Sequence, residues 1–372
     1  MKRILVLASF PAPYRVAVFQ GLSNYYKLDV FFGTSKDQNR SKSYFVDKDS
    51  FKYYLIDDKE DQDYFKLCVS NLEQYDLVLA YDWYLNYALK VERKCIKKGI
   101  PYIINCDGAF VPETLTVKDQ IKRIVKGYFI KRATLCFGGG ISAERYFEYY
   151  GAKKARIKLH PFSSLHKDDI LAKALTDTEK SKWKGKLGLS TSKMVLAIGQ
   201  FIRRKGFDIL LEAWTELDEQ YQLVLIGGGD KKQEYDAIIE NKRYKNVKLI
   251  DFLPKDKVFE YYMAADVFVM PTREDVWGLV INEAMATGLP VISSNRCNAA
   301  VELVKNGENG YIVPNEDSES LAEKIRSILR LDEMQRMEMQ NESIMCISEY
   351  TLEHIIEKHV ADINAVLYGR EG

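Results

Sequence analysis

The chain has 372 residues, more than one ordinary hydrophobic core holds, so two domains are predicted. With 47% hydrophobic residues, 29% charged residues and a formal net charge of +1, the composition is typical of a globular protein and argues against nucleic-acid binding. The 6 cysteines form no C-x-x-C pair, which favours reduced thiols in a cytoplasmic protein. The N-terminal apolar run is too short to span a bilayer and precedes Pro11 and Pro13, so neither a signal peptide nor a membrane span is predicted.

Short β-branched runs alternate with helical patterns along the first half, as they do in parallel sheets built from βαβ units. The predicted strands are 3–10, 27–33, 77–81, 101–106 and 133–140. The predicted helices are 14–25, 62–73, 85–97, 117–131 and 143–149. We therefore predict a Rossmann-like first domain over 1–165.

A second series of strands starts afresh after a charged segment, in which a helix is predicted near 168–187. Its predicted strands are 194–200, 221–229, 246–252, 265–272, 289–294 and 310–314. The segment 321–367 is helical by pattern and has no strand left to pair with. We predict a second Rossmann-like domain over 166–349, and we expect the helix from about 350 to 372 to pack back on the first domain. The fold class is therefore α/β, with two doubly wound domains.

Ligands of open parallel sheets bind beyond the carboxyl ends of the strands, so the loops there are the candidate sites. The strand at 194–199 ends at Gly199, and the following turn carries Arg203, Arg204 and Lys205. Arginine offers forked donors and lysine a compact charge, and both suit a diphosphate. A solvated basic turn explains the same residues equally well.

Two glycine-rich turns allow a second interpretation. Gly227–Gly229 end a strand, where they allow either close approach to a ligand or a tight turn. "GGGISA", at 138–143, loosely matches the dinucleotide fingerprint that an oxidoreductase would use. The match lies at the last βα turn of its domain, and no acidic residue ends a strand about 20 residues further on.

"REDVWGLVINEAMATGLPVI", at 273–292, has the strongest chemical pattern. Asp275 lies in the loop after a buried strand, and Glu283 lies in the second turn of a helix that begins near Gly278 and includes Leu279. The free amides at the helix start favour an anion, and these are the amides of Val276, Trp277 and Gly278. The two acids and the positive helix end could hold a sugar, a ribose and a diphosphate.

The alternative is that Asp275 caps the helix and Glu283 is a surface residue. The apolar surroundings of Glu283 argue against that alternative.

That segment resembles the E-x7-E region of retaining family-4 glycosyltransferases, which have the GT-B fold. Four other segments recur in the order and spacing of that family: "IGQFIRRKGFDILLEAW", "LVLIGGG", "LIDFLPKDKVFEYYMAADVFVMPT" and "VKNGENGYIVP". The first half resembles members that build bacterial capsule and other surface polysaccharides, through "SFPAPYRVAVFQGLS", "IPYIINCDGAF" and "HPFSSL". The resemblance implies two Rossmann-like domains that face an interdomain cleft.

The resemblance implies that Glu283 binds the ribose, that Asp275 contacts the donor sugar, that Lys205 binds phosphate and that Leu253 flanks the base. Asp275 replaces the usual glutamate, so Glu274 could take its role. Gln200 stands where an arginine is common. Arg204, with Arg203, is the expected substitute for it.

The histidine that many members carry in the first domain is absent. Its place falls on Cys106, Asp107 or Gly108, and Asp107 is our candidate. The predicted catalytic residues are Asp275, Lys205, Arg204 and Asp107. The predicted nucleotide-binding residues are Glu283, Glu274, Val276, Trp277, Gly278, Leu279, Gly199, Arg203 and Leu253.

The implied reaction transfers a sugar with retention from a nucleotide diphosphate sugar to an acceptor hydroxyl. We expect UDP as the nucleotide, with GDP as the runner-up. No metal or other cofactor is expected, because no D-x-D motif ends a first-domain strand and "YDW" at 81–83 does not supply one. A nonenzymatic nucleotide-sugar-binding protein remains an alternative, since it would keep Glu283 and Lys205.

We expect the acceptor, a glycan or polyprenyl-linked glycan, to bind the first domain. The segment 117–132 has six cations interleaved with apolar residues: Lys118, Lys122, Arg123, Lys126, Lys131 and Arg132. Such a helix can lie on an anionic membrane, which would place the protein on the inner face of that membrane. It can equally cover a sheet with one face and meet water with the other.

Overall fold

The computed structural model describes residues 1–34, 46, 50–109, 111 and 116–369. The chain divides into two compact units. Unit 1 comprises Met1–Ser164 with Leu352–Gly372, and unit 2 comprises Leu165–Thr351. Phe110, the last residue of "IPYIINCDGAF", and residues 370–372 of the predicted C-terminal helix lie outside the described residues. Within the described ranges, no helix has the length and apolar character needed to cross a bilayer.

Unit 1 is built on a parallel sheet whose strand order is β3-β2-β1-β4-β5-β6-β7. Its strands are β1 (Arg3–Ala8), β2 (Lys27–Phe32), β3 (Tyr54–Leu55), β4 (Leu77–Tyr81), β5 (Tyr102–Cys106), β6 (Leu135–Gly138) and β7 (Ile157–Leu159). Because β1 lies beside β4 and β4 beside β5, the loops that follow these three strands meet at one edge.

The helices of unit 1 cover both faces of this sheet. They are α1 (Pro13–Leu22), α2 (Lys59–Ser70), α3 (Asn86–Lys98), α4 (Val117–Ile130), α5 (Ile141–Tyr149) and α14 (Leu352–Leu367). Residues of α2, α3 and α4 share one apolar core, whereas α1 and α14 share the other. The Tyr26 hydroxyl donates to Asn364 Oδ1 at 2.8 Å and so ties α14 to the end of α1.

Unit 2 has a second parallel sheet, with strand order β10-β9-β8-β11-β12-β13. Its strands are β8 (Met194–Ile198), β9 (Gln222–Ile226), β10 (Val247–Ile250), β11 (Val267–Met270), β12 (Val291–Ser294) and β13 (Gly310–Val313). Its helices are α6 (Asp177–Lys186), α7 (Phe207–Ala213), α8 (Lys232–Lys242), α9 (Lys255–Ala264), α10 (Leu279–Ala286), α11 (Asn298–Leu303), α12 (Ser318–Leu329) and α13 (Glu333–Ile347).

The prediction of a helix over 168–187 is too long. A short 3-10 turn, Lys167–Asp169, precedes α6. The Thr176 side chain accepts from the Glu179 amide, and the Glu179 carboxylate accepts from the Thr176 amide at 2.8 Å. This capping box satisfies the exposed amides of the first turn and sets where α6 begins.

Candidate functional site

Two loops of unit 2 meet at the carboxyl ends of the neighbouring strands β8 and β11. The Arg273 amide donates to the Arg204 carbonyl at 2.8 Å, and Thr272 Oγ1 donates to the same oxygen at 2.9 Å. Gly206 has a φ of +70°, and a Cβ built on it would lie 2.0 Å from the Pro271 carbonyl oxygen. Glycine at this turn therefore allows the basic loop to reach the acidic one.

The contact between these loops brings two cations to one carboxylate. Lys205 forms an ion pair with Asp275 Oδ2, and the Arg204 guanidinium lies 3.6 Å from the same oxygen. Arg204 also donates to the Glu274 carbonyl at 2.7 Å, while the Glu274 side chain is exposed. The predicted residues Arg204, Lys205, Glu274 and Asp275 therefore lie together. We call Arg204, Lys205 and Asp275 the basic cluster.

Asp275 is fixed by its backbone and is only 8% exposed. Its amide donates to the Arg296 carbonyl at 2.8 Å, and its carbonyl accepts from the Asn298 amide at 3.3 Å. Its Oδ1 accepts from the Trp277 amide at 3.3 Å. The prediction that the Trp277 amide is free is therefore wrong, because an aspartate two residues earlier can turn back on the chain.

Helix α10 begins where the loop packs tightly. Gly278 has a φ of +102°, and a Cβ there would lie 2.8 Å from Cys297 Sγ. A larger residue would separate the loop from this buried thiol, so glycine fits both the backbone and the contact. The Trp277 indole donates to Asn282 Oδ1 at 3.1 Å and anchors the first turn of α10. Val276 is exposed and Leu279 half-buried at the same helix start.

Glu283 lies in the second turn of α10 and is half-buried. The buried Tyr262 hydroxyl donates to Glu283 Oε2 at 3.0 Å. Burial raises the pKa of Glu283 to about 7, although Tyr262 and Lys255 act in the opposite direction. Near neutral pH this carboxyl group therefore changes charge readily. Within the described ranges, Glu283 shares no hydrogen bond or ion pair with the basic cluster.

The glycines that follow β8 and β9 pack closely against the backbone of the neighbouring loop. A Cβ on Gly227 would lie 1.8 Å from the Gly199 carbonyl oxygen, and one on Gly229 would lie 2.6 Å from the Phe201 carbonyl oxygen. These close approaches join the two loops and account for the glycines. Arg203 is exposed, and Leu253 is half-buried in the segment after β10.

Unit 1 holds a second charged cluster at the edge of its sheet. Arg15 is 2% exposed, and its guanidinium lies 2.5 Å from Asp82 Oδ2 and pairs with Asp107 Oδ2. Asn105 Nδ2 donates to Asp107 Oδ1 at 2.8 Å, and Ser9 Oγ donates to Asp82 at 2.5 Å. We call Arg15, Asp82 and Asp107 the acidic cluster.

The two carboxyl groups of the acidic cluster have pKa values that shift in opposite directions. Burial raises the pKa of Asp107 even though Arg15 opposes it. Burial also acts to raise the pKa of Asp82, but Arg15 and Ser9 outweigh it and hold that pKa below its usual value. One guanidinium shared by two acids thus leaves Asp107 the more easily protonated.

Sequence reasoning found Asp107 and Glu283 but missed three residues beside them: Arg15 and Asp82 next to Asp107, and Tyr262 next to Glu283. A signal existed for the first two, because Arg15 lies in the first turn of α1 and Asp82 directly follows β4. Tyr262 had no local signal. Among the described residues, no group of three His, Cys, Asp or Glu side chains is arranged to hold a metal ion.

Comparison with known proteins agrees with this architecture. Residues 179–343 match the family model described as glycosyl transferases group 1. A Haemophilus influenzae protein described as an uncharacterized glycosyltransferase is 27% identical over 179 residues, which are 47% of this chain and 50% of that protein. The amylovoran biosynthesis glycosyltransferase AmsK of Erwinia amylovora is 30% identical over 39% of this chain and 38% of that protein. The chain spans half or less of the length of these two curated relatives.

The likeness in fold extends over nearly the whole chain. The crystal structure of Anabaena HepE in complex with UDP and glucose has a TM-score of 0.74 and 18% identity, and it covers 98% of this chain and 100% of its own. The fold of the chain is therefore the two-domain GT-B fold of glycosyltransferases, and its segment 179–343 matches glycosyl transferases group 1.

Proposed function

We propose that this protein is a retaining glycosyltransferase that transfers a hexosyl group from a UDP-sugar to a hydroxyl of a glycan or polyprenyl-linked glycan. The observation that carries the proposal is the basic cluster, at the carboxyl edge of the sheet within the segment that matches the group 1 model. The description of the Erwinia relative as an amylovoran biosynthesis enzyme supports a role in bacterial surface polysaccharide synthesis. UDP in the HepE complex supports the choice of nucleotide.

The basic cluster is suited to stabilise a departing diphosphate. Two cations face one carboxylate, so one positive charge is left over for the negative charge that develops as the glycosidic phosphate bond breaks. The Lys205 ammonium has three donors and can keep its bond to Asp275 while it binds a phosphate oxygen. Asp275, held by its backbone, would contact a sugar hydroxyl, and the exposed Glu274 is the alternative for that role.

Glu283 would bind the ribose of the nucleotide. An ionised carboxylate accepts hydrogen bonds from two neighbouring hydroxyls, and the Tyr262 hydroxyl fixes the orientation of this one. Because the pKa of Glu283 is about 7, ribose binding should strengthen as the pH rises through neutrality.

Retention is explained by attack on the same face of the sugar. The bond from the anomeric carbon to the phosphate oxygen breaks, the bond to the acceptor oxygen forms on that face, and the departing phosphate takes the acceptor proton. This step requires no protein base and no metal. The acidic cluster of unit 1 is the candidate site for acceptor hydroxyls, with Asp107 as the predicted contact.

A thermal-shift panel of UDP, GDP, ADP, NAD and nucleotide sugars tests the donor assignment. A ligand at a hundred times its dissociation constant adds about 2.7 kcal/mol of stability. We expect UDP and one UDP-sugar to raise Tm, and Glu283→Ala to remove most of the rise. The control is Lys232→Ala, which removes a half-buried lysine of unit 2 that pairs with Asp251 and should keep the rise. A rise in Tm with GDP alone would show that the donor nucleotide is GDP and not UDP. No rise in Tm with any nucleotide would refute the proposal.

Two alternatives predict different results. A nonenzymatic nucleotide-sugar-binding protein would show the Tm rise without release of UDP in the presence of acceptors. A dinucleotide-dependent oxidoreductase would respond to NAD at the "GGGISA" turn. There, a Cβ on Gly139 would lie 2.3 Å from the Asp107 carbonyl oxygen, so packing already accounts for that glycine.

Helix α4 supports a further part of the proposal, which is peripheral contact with an anionic membrane. Only its last turn is buried, through Phe129 and Ile130. Ile124 is 76% exposed. Four other apolar residues beside the lysines and arginines of this helix are exposed as well: Val117, Ile121, Val125 and Tyr128. An apolar stripe flanked by cations suits the interface of an anionic bilayer.

Sedimentation with vesicles tests this contact. We expect binding to vesicles that contain phosphatidylglycerol, and weak binding to phosphatidylcholine vesicles. Ile121→Glu with Ile124→Glu should abolish it, because both side chains are exposed and the substitutions leave the fold intact. Equal recovery of the wild type in the supernatants of both kinds of vesicle would contradict the proposed membrane contact.

A further inference from the structure

A groove between α2 and α3 of unit 1 lies outside the sites described above. Five apolar side chains line it: Ile56, Phe65, Val69, Tyr87 and Val91. The α3 residues along it run from 87 to 97, a length of about 15 Å at 1.5 Å per residue, which matches an extended chain of roughly twelve carbons. The groove therefore has the shape and the surface for one hydrocarbon chain.

The rim of this groove is cationic. It carries Lys66, Lys90, Arg93, Lys94 and Lys97, while its remaining polar lining is Gln62 and Ser70, so no carboxylate is among the described residues that line it. Lys66 is paired with Asp63 at 2.9 Å, and Lys94 Nζ donates to the Val69 carbonyl at 3.2 Å. Among the residues that the structure describes, no carboxylate forms an ion pair with Lys90 or Lys97.

The four cations of α3 repel one another. Lys90, Arg93, Lys94 and Lys97 are spaced three or four residues apart, so they share one face of the helix. Like charges at this spacing destabilise a helix, and a bound anion would remove that repulsion. Charge and apolar surface thus both point to a ligand with a negative head and an apolar tail.

We propose that the groove binds one anionic amphiphile, with its hydrocarbon chain along the apolar floor and its phosphate head among the α3 cations. A polyprenyl phosphate has this chemistry and is the proposed occupant. The inference extends the proposed function, because a polyprenyl-linked acceptor would present such a molecule. Helix α4 packs on the same face of the sheet as α2 and α3, and the Arg93 guanidinium lies 5.7 Å from the ring of Phe129 in α4. The groove and the exposed stripe of α4 are therefore neighbours.

Calorimetric titration of the full chain with dodecyl phosphate below its micelle concentration tests the groove without a membrane or a donor. We expect one site per chain, at least tenfold weaker binding of dodecyl maltoside, and no measurable binding of inorganic phosphate. Lys90→Glu with Lys97→Glu should weaken dodecyl phosphate binding at least tenfold. Lys245→Glu with Lys248→Glu, two exposed lysines of unit 2, makes the same charge change and should leave it unaltered.

A second variant, Val69→Glu, should weaken binding by placing a carboxylate in the floor, and urea unfolding reports in each case whether the chain remains folded. Unchanged binding in Lys90→Glu with Lys97→Glu, or inorganic phosphate as tight as dodecyl phosphate, would overturn the proposal. Farnesyl phosphate should bind more tightly than dihexanoyl phosphatidic acid, and the reverse order would overturn the assignment of a polyprenyl phosphate. Dodecyl phosphate binding without any response to nucleotides would refute the transferase and leave the groove standing.

Discussion

The basic cluster of unit 2 and the acidic cluster of unit 1 use the same chemistry in opposite proportions. In unit 2, Arg204 and Lys205 face the single carboxylate of Asp275. In unit 1, the single guanidinium of Arg15 faces Asp82 and Asp107. Both lie where parallel strands end. The excess positive charge of one cluster suits a diphosphate, and the excess carboxylate of the other suits hydroxyl groups.

The two clusters also differ in how deeply their cations are buried. Arg15 is almost completely buried, so its charge depends on the two acids beside it. The Arg204 side chain is 43% exposed, so water as well as Asp275 stabilises its charge. The acidic cluster is therefore a structural element that also presents carboxylates, whereas the basic cluster can change partners when an anion binds. The following predictions test this difference.

Removal of the cation should have its largest effect in the acidic cluster. Arg15→Met removes the counter-charge of two half-buried carboxylates, which should lower the free energy of unfolding by about 3–5 kcal/mol. The loss should shrink at low pH, because the unpaired acids then have raised pKa values and are protonated. Urea unfolding at two pH values measures both effects. Arg145→Met, at an exposed arginine of the same unit, is the control and should change stability by less than about 0.5 kcal/mol. An equally small loss in Arg15→Met would show that the acidic cluster has no structural role.

Removal of a cation from the basic cluster should affect transfer rather than folding. Lys205→Ala should lower kcat by about 100-fold to 1000-fold, the effect of removing one group that stabilises developing charge. Release of UDP from the donor that the Tm panel identifies measures the rate. The matched control is Lys232→Ala, which should retain full activity. A loss below about tenfold would assign the diphosphate to Arg204 instead.

The basic cluster was accessible from the sequence because its residues lie in two short segments that resemble a known family. Its strands also follow the predicted pattern, since β8 to β13 each fall within a predicted run. The acidic cluster was accessible only in part. Arg15 is 67 residues from Asp82 and 92 from Asp107, and their meeting depends on the order of β1, β4 and β5 in the sheet.

Other features lacked any periodic signal. Strands β3 and β7 have two and three residues, too few to show alternation, and they were not predicted. The bond from the Trp277 amide to Asp275 depends on one side-chain rotamer and not on residue spacing. The phenol of Tyr262 reaches Glu283 from α9, a contact between helices that no local pattern shows.

Removal of the carboxylate should act differently from removal of the cation in the basic cluster. Asp275→Asn keeps an oxygen for the Trp277 amide and leaves Lys205 without its counter-charge. We expect the affinity for UDP to stay unchanged or to rise by up to about tenfold, because an anion now meets two unpaired cations. Transfer from the UDP-sugar should fall. Calorimetry with UDP and the transfer assay separate the two effects, and weaker UDP binding would contradict this arrangement.

The smallest predicted effect is a pH dependence of the affinity for the donor, which arises from the titration of Glu283 in unit 2. Burial raises its pKa to about 7, so at pH 6 most of this carboxyl group is protonated and at pH 8 most of it is ionised. Only the ionised form accepts a hydrogen bond from both ribose hydroxyls, so affinity should rise between these values by at most about tenfold in total. A UDP-sugar is the suitable probe, because its diphosphate does not titrate in this range.

Two variants locate the source of this pH dependence. Glu283→Gln should flatten the profile. Tyr262→Phe removes a hydrogen bond that lowers the pKa of Glu283, so it should move the midpoint of the profile to higher pH while the fold is kept by a side chain of nearly the same shape. A midpoint that stays in place in Tyr262→Phe would show that another group titrates. The tyrosine would then support α10 without tuning the charge of its acid.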